Sequence, residues 1–409
     1  MRPLSVALLS WEYPPVVVGG LSRHVYELSR HLAAEGHGVT VYTRGLPGGP
    51  REEMDDLVRV VRVEQYPPPL SIEDLVPWTL GFNIGLIHRA MTELAEDPPD
   101  VLHAHDWLVA YAGIVLADLS RLPLVATIHA TERGRHGGRL PGPMQRFVHS
   151  VERWLVAEAD RVITCSAFMR DEVVESLAAD EGRLELIPNH VDLSPFSPPA
   201  ESVRLELWGE ERPLILFAGR LEFEKGVQTA LDALSRIDRS APGVGLVIAG
   251  DGTYRSVLEQ RAAELGLDGR VRFEGFVDES RLRSLYRSAD LAVIPSLYEP
   301  FGLVTLEAMA SGTPVVAADT GGLREIVDHD VSGLLFPPGD ANGLAAAAAR
   351  ILRDPELGAR LAREARLGLV ARSSWSAAAT ATAEAYRRAL AAAPVEEPRR
   401  LRAVPGRVV

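Results

Sequence analysis

Short, continuous apolar runs rich in valine, isoleucine and leucine alternate along this chain with stretches long enough for an amphipathic helix. The first half carries such runs at 6–10, 39–42, 58–63, 101–105, 124–128, 162–165 and 184–188. The second half carries them at 214–219, 246–250, 271–273, 291–295, 314–317 and 334–336. A strand that is apolar along its whole length is covered on both faces, and strands alternating with helices pair in parallel. The pattern therefore predicts an α/β chain. Two series, each with its own glycine-rich turns, mean two doubly wound parallel-sheet domains. A length of 409 residues agrees, being about twice what one core serves.

The seam falls near 192–199, where Pro195, Pro198 and Pro199 end regular structure. The expected organisation is a first domain at 1–195 and a second at 196–375. A last helix at 376–393 should pack back toward the first domain, and 394–409 should form a loose tail. Ligands in open parallel sheets bind beyond the carboxyl ends of the strands. With two such domains, the natural site is a cleft where those ends face each other.

Charge and cysteine content remove several function classes. Basic residues number 43 and acidic ones 56, a net charge of −13, which argues against nucleic acid as a partner. The one cysteine, Cys165, allows neither an internal disulfide nor a cysteine-based zinc site. No apolar run reaches the roughly 18 residues of a membrane span. The first ten residues are too short for a signal peptide's apolar region and run into Trp11-Glu12. A cytoplasmic enzyme is the expectation. Of the 43 basic residues only Lys225 is lysine. A bias that strong leaves lysine where a compact ammonium does what a guanidinium cannot.

Three motifs carry chemistry. Gly19-Gly20-Leu21-Ser22 follows the first strand and opens a helix, so its backbone N–H groups can meet an anion. Gly219-Arg220 ends a strand, and Arg220 and Lys225 enter the next helix as two fixed cations, suited to a diphosphate. An ion-pair cluster with Glu222 and Glu224 is the bland alternative. The third is Glu299-Pro300-Phe301-Gly302 with Glu307 about two turns into the following helix. Its proline fits a first helical position, and its carboxylates can face one ligand. Such a pair also suits the general acid and base of glycoside hydrolysis.

In this order the motifs resemble the retaining glycosyltransferases of family 4, whose GT-B fold is two Rossmann-like domains facing across a cleft. The resemblance spans about residues 1–390 and includes Pro188-Asn189-His190-Val191-Asp192, Gly250-Asp251-Gly252, Gly275-Phe276-Val277 and Gly321-Gly322-Leu323-Arg324-Glu325. His190 stands where such enzymes usually have glycine; histidine tolerates a left-handed turn better than most residues. In the amino half, Ser10-Trp11-Glu12-Tyr13-Pro14-Pro15, His103-Ala104-His105-Asp106-Trp107-Leu108 and Thr127-Ile128-His129-Ala130-Thr131-Glu132 are similar to glycogen synthase-like α-1,4-glucosyltransferases of actinobacterial type.

The resemblance implies transfer of glucose, with retention, from ADP-, UDP- or GDP-glucose to an α-1,4-glucan, without a cofactor or metal. It implies that Arg220 and Lys225 hold the donor diphosphate, Glu299 the sugar hydroxyls and Glu307 the ribose. Gly302 and Leu303 would offer N–H groups, and Phe276 and Val277 would border the base. Gly20 would close on the diphosphate, and His129 would touch the sugar near the reacting centre. Asp106 and Glu132 are the acceptor-side candidates. A membrane contact would be peripheral and would follow only from a lipid acceptor. His103 and His105 alternate on a strand end; one surfacing beside Asp106 is expected rather than a metal site. Asp328-His329-Asp330 spells a pattern that binds divalent ions elsewhere, but here it reads as a solvated turn.

Rival readings are a GDP-mannose α-mannosyltransferase acting on a lipid or glycan, and a GT-B sugar-nucleotide epimerase. A pyridoxal-phosphate phosphorylase would need its lysine as a Schiff base. A sugar-binding module would need neither Arg220 nor Lys225.

Overall fold

A computed structural model describes residues 2–64, 74–196, 203–237, 243–372 and 374–392. The chain divides into two units. One is built on the residues up to Asn189 with the chain from Trp375, the other on His190–Ser374. The sequence reading drew the first boundary six residues later, at 195. The tail at 394–409 and residues 197–199 of the seam lie outside the described residues.

The first unit holds β1 (Ser5–Leu9), β2 (Gly38–Arg44), β3 (Glu52–Asp55), β4 (Val58–Val63), β5 (Val101–His105), β6 (Leu124–Ile128), β7 (Arg161–Thr164) and β8 (Leu184–Leu186), in the order β3-β4-β2-β1-β5-β6-β7-β8. The second holds β9 (Leu214–Ala218), β10 (Gly245–Ala249), β11 (Val271–Gly275), β12 (Leu291–Ile294), β13 (Val315–Ala318) and β14 (Leu334–Phe336), in the order β11-β10-β9-β12-β13-β14. Every apolar run of the sequence forms one of these strands, and these pair in parallel. The expectation of purely parallel sheets fails at β3, which pairs antiparallel with β4. Its sequence, Glu-Glu-Met-Asp, has little strand propensity. Cross-strand charge holds it instead: Arg59 donates to Glu52 at 2.7 Å and Arg62 to Glu53 at 2.7 Å.

Strand order reverses between β1 and β5 in the first unit and between β9 and β12 in the second. The crevice beyond the carboxyl ends at such a reversal is where open α/β sheets bind ligands. Helix Gly20–Ala34 buries Val25, Leu28 and Leu32 against the first sheet. The last helix, Trp375–Ala392, packs on that helix through Ala378, Ala379, Ala385 and Ala389, with Tyr386 fully buried. Its alanines let the two helices lie close. His190 is not among the positive-φ residues, so the expected left-handed turn is absent there.

Candidate functional site

In the second unit the chain leaves β9 at Gly219, passes Arg220 and makes one tight turn, Phe223–Lys225, before helix Val227–Ile237. Its neighbour β12 runs into the segment that carries Glu299. Backbone bonds lace the two together: the amides of Leu297 and Tyr298 donate to the Glu224 carbonyl at 2.7 and 3.3 Å. Lys225 Nζ lies 2.8 Å from Glu299 Oε2, which also accepts from Ser296 Oγ at 3.0 Å. Lys225 therefore pairs with Glu299 rather than with Glu222 or Glu224, as the bland surface cluster would require. Arg220 does pair with Glu224, at 3.8 Å, so the ion-pair reading holds for that half of the motif.

Glycine permits this close approach. Gly226 has φ +70°, and a Cβ there would sit 1.9 Å from the Pro295 carbonyl oxygen. At Gly321 a Cβ would sit 2.0 Å from the carbonyl oxygen of Glu299, which accepts the Gly322 amide at 2.9 Å. Helix Leu303–Ala310 starts at Gly302, with φ +111°. Glu307 lies in its second turn and accepts from the buried Tyr286 hydroxyl at 3.3 Å. Both carboxylates are buried, Glu299 at 7% and Glu307 at 5% exposure, and both have the partners that burial demands: Lys225 and Ser296 for Glu299, Tyr286 for Glu307. Phe276, largely exposed, and Val277 follow β11, two strands from β9. Asp328, His329 and Asp330 form an exposed turn, with Asp330 paired to Arg350 at 2.6 Å.

In the first unit β1 enters the loop before Gly20. Buried Glu12 accepts the Val18 and Gly19 amides on one oxygen, at 2.6 and 3.2 Å. This carboxylate thus holds the glycine loop, a role that no sequence spacing announces. Asp106, at the end of β5, has φ 61° and ψ 177°, a region that only glycine visits freely. It accepts the His129 amide at 2.7 Å. The Glu132 amide donates at 2.8 Å to buried Glu152, whose carboxyl burial pushes up to about 7. Sequence reasoning missed Glu152. The available signal was its place between Val148 and Leu155 on the apolar face of helix Pro143–Glu158.

A layer of histidines adjoins these residues. The expectation that one of His103 and His105 surfaces is wrong: both are fully buried, with ring centroids 4.1 Å apart. They share one face of β5, so the sheet and the last helix cover both. His103 bonds the Tyr386 hydroxyl at 2.8 Å and Thr127 Oγ1 at 2.7 Å. His105 Nδ1 lies 3.2 Å from His129 Nε2. His24, not foreseen from sequence, bonds Asn189 Oδ1 at 2.6 Å through Nδ1.

Burial lowers the pKa of His103 and His105 well below the ordinary value, and that of His129 to about 3. The unfolded chain therefore takes up these protons first as pH falls below about 6.5, and stability is lost. Between pH 7.5 and 5.5 these imidazoles therefore work against the folded state. Glu152 works the other way: its folded pKa is raised, so protonation over the same interval returns about 2 kcal/mol. We expect Glu152→Gln to lose more stability than the parent between pH 7.5 and 5.5, by about 2 kcal/mol, because it lacks the compensating protonation. Denaturant midpoints at the two pH values test this; an equal change in both proteins would refute it.

Comparison with known proteins adds an independent line. Residues 201–368 match the family model "Glycosyl transferases group 1", and residues 18–195 match "Glycosyltransferase Family 4". The chain is 43% identical over 396 residues to a glycogen synthase of Mycobacterium tuberculosis, covering 94% of each chain. It is 35% identical to a D-inositol 3-phosphate glycosyltransferase of Xylanimonas cellulosilytica, covering 91% of this chain and 92% of that one. Among solved structures, sucrose-phosphate synthase from Thermosynechococcus elongatus superposes with a TM-score of 0.82 at 30% identity, covering 96% of this chain and all of that one.

Proposed function

The chain belongs to the family 4 glycosyltransferases of GT-B fold, and on that premise we propose that it moves glucose from a nucleoside diphosphate glucose to an α-1,4-glucan with retention. It is a nucleotide-sugar-dependent hexosyltransferase. The observation that supports the donor site is the Lys225–Glu299 pair, a cation and a carboxylate held together at the carboxyl ends of β9 and β12; the 43% identity to a glycogen synthase supports glucose and an α-1,4-glucan.

In this reading Arg220 and Lys225 take the donor diphosphate, and the amides of Gly302 and Leu303 add dipoles at a helix start. Glu299 orients the glucose hydroxyls, Glu307 takes the ribose diol, and Phe276 and Val277 border the base. Gly20 and His129 contribute to donor binding, and Asp106 and Glu132 to acceptor binding. The bond between the anomeric carbon and the phosphate oxygen breaks, releasing nucleoside diphosphate. The acceptor 4-hydroxyl oxygen bonds to the same face, and its proton passes to the departing phosphate. Negative charge grows on that phosphate in the transition state, where Lys225 stabilises it.

Glu307→Ala should mainly weaken donor binding, because the ribose does not change in the reaction and both states lose alike. Glu299→Ala should mainly lower turnover, because the sugar is loosened where charge develops. Equal losses of turnover with donor affinity untouched would refute this division.

The function itself is tested by incubating the protein with ADP-, UDP- and GDP-glucose and GDP-mannose, each with malto-oligosaccharides and, separately, with an inositol phosphate. Release of nucleoside diphosphate together with longer chains supports the reading. Transfer only from GDP-mannose, or only to an inositol phosphate, would replace it.

A further inference from the structure

We infer that His24, His105 and His129 form a binding site for one transition-metal ion of the zinc class, and that its occupancy inhibits the enzyme. Three observations select these residues. One ring nitrogen of each lies within 4.8 Å of the others. His105 Nδ1 and His129 Nε2 are already 3.2 Å apart, close to the roughly 3.3 Å between two nitrogens that share a tetrahedral zinc with bonds of about 2.05 Å. The third imidazole has to close on this pair from at most 4.8 Å, by up to about 1.5 Å. His103, the fourth ring of the layer, is excluded because Tyr386 and Thr127 occupy both its nitrogens.

His24 carries the arrangement expected behind a ligand. Its Nδ1 is held on the Asn189 amide oxygen at 2.6 Å, which places the proton on Nδ1 and the lone pair on Nε2. Three imidazoles without a thiolate suit zinc, copper, nickel or cobalt and not magnesium or calcium. Three protein ligands also leave a fourth position for water. Asp106 accepts the His129 amide and brings negative charge near.

The inhibitory half of the inference rests on the sugar contact proposed for His129; the binding half does not. A ligated His129 is turned toward the ion and away from the sugar.

The test uses the full chain without a polyhistidine tag, titrated with Co2+ for its visible bands and with Zn2+ by competition, beside transfer assays. The expected result is one tetrahedral Co2+ per chain, displaced by Zn2+, and at least about tenfold slower transfer at saturating Zn2+ that chelator reverses. His24→Asn and Asn189→Ala should weaken binding about 10- to 100-fold while their metal-free transfer stays near the parent's. Melting temperatures establish that both variants are folded. Absence of stoichiometric binding by the parent, or unchanged binding in folded His24→Asn, overturns the site. Binding without inhibition upholds the site and overturns the sugar role of His129.

Discussion

Lys225→Ala should lower turnover at least about a hundredfold, and Lys225→Arg at least about tenfold, with the fold retained in both. The chain uses arginine at every one of its other 42 basic positions, as 43 basic residues less the one lysine leaves 42. Structure supplies the reason for the exception. Lys225 Nζ reaches Glu299 Oε2 at 2.8 Å from a single tight turn, with Ser296 Oγ on the same oxygen. A guanidinium placed there would form a two-pronged bond with the Glu299 carboxylate, pulling that carboxylate and its own charge into one plane. An ammonium leaves its remaining donors for a phosphate oxygen. Tenfold is only about 1.4 kcal/mol, well within what one charged contact supplies. Alanine goes further, because it also leaves buried Glu299 without its opposite charge, at about 1–3 kcal/mol in stability. Turnover must therefore be read beside melting temperature. A Lys225→Arg enzyme as active as the parent would show that the lone lysine is chance.

The parallel strands were legible because they are apolar along their whole length, and a strand buried on both faces has no other way to read. β3 was not, because Glu52, Glu53 and Asp55 become a strand only when Arg59 and Arg62 lie beside them. The same division runs through the site. Gly219, Arg220, Lys225, Glu299 and Glu307 stand in strand-to-helix loops, where polar residues and glycine interrupt apolar runs and so attract notice. The pairing of Lys225 with Glu299 crosses 74 residues of sequence, and only strand order creates it. Glu12, Glu152 and the histidine layer were hidden for a further reason. Their partners are backbone amides, buried rings and a helix that returns from position 375, and no local spacing encodes any of these.

Gly226→Ala should remove nearly all activity and destabilise the second unit by at least about 3 kcal/mol. Two costs add. Gly226 sits at φ +70°, where an L residue costs about 1–2 kcal/mol. The added carbon would also meet the Pro295 carbonyl oxygen at 1.9 Å and its carbon at 2.7 Å. Backbone atoms cannot rotate away, so the turn Phe223–Lys225 and the segment after β12 must separate by more than an ångström. That opens the Leu297-to-Glu224 bond, now 2.7 Å, and carries Lys225 away from Glu299. A displacement of about 1 Å in positioning groups suffices for a hundredfold loss of rate. Gly209 isolates the steric part. It has nearly the same backbone, φ +72°, but no atom of the described residues lies within 4 Å of its Cβ position. Gly209→Ala should therefore show the conformational cost alone, about 1–2 kcal/mol, and keep its turnover. If the two variants lose the same stability and the same activity, the contact between the Lys225 turn and the Glu299 segment is not what holds the site together.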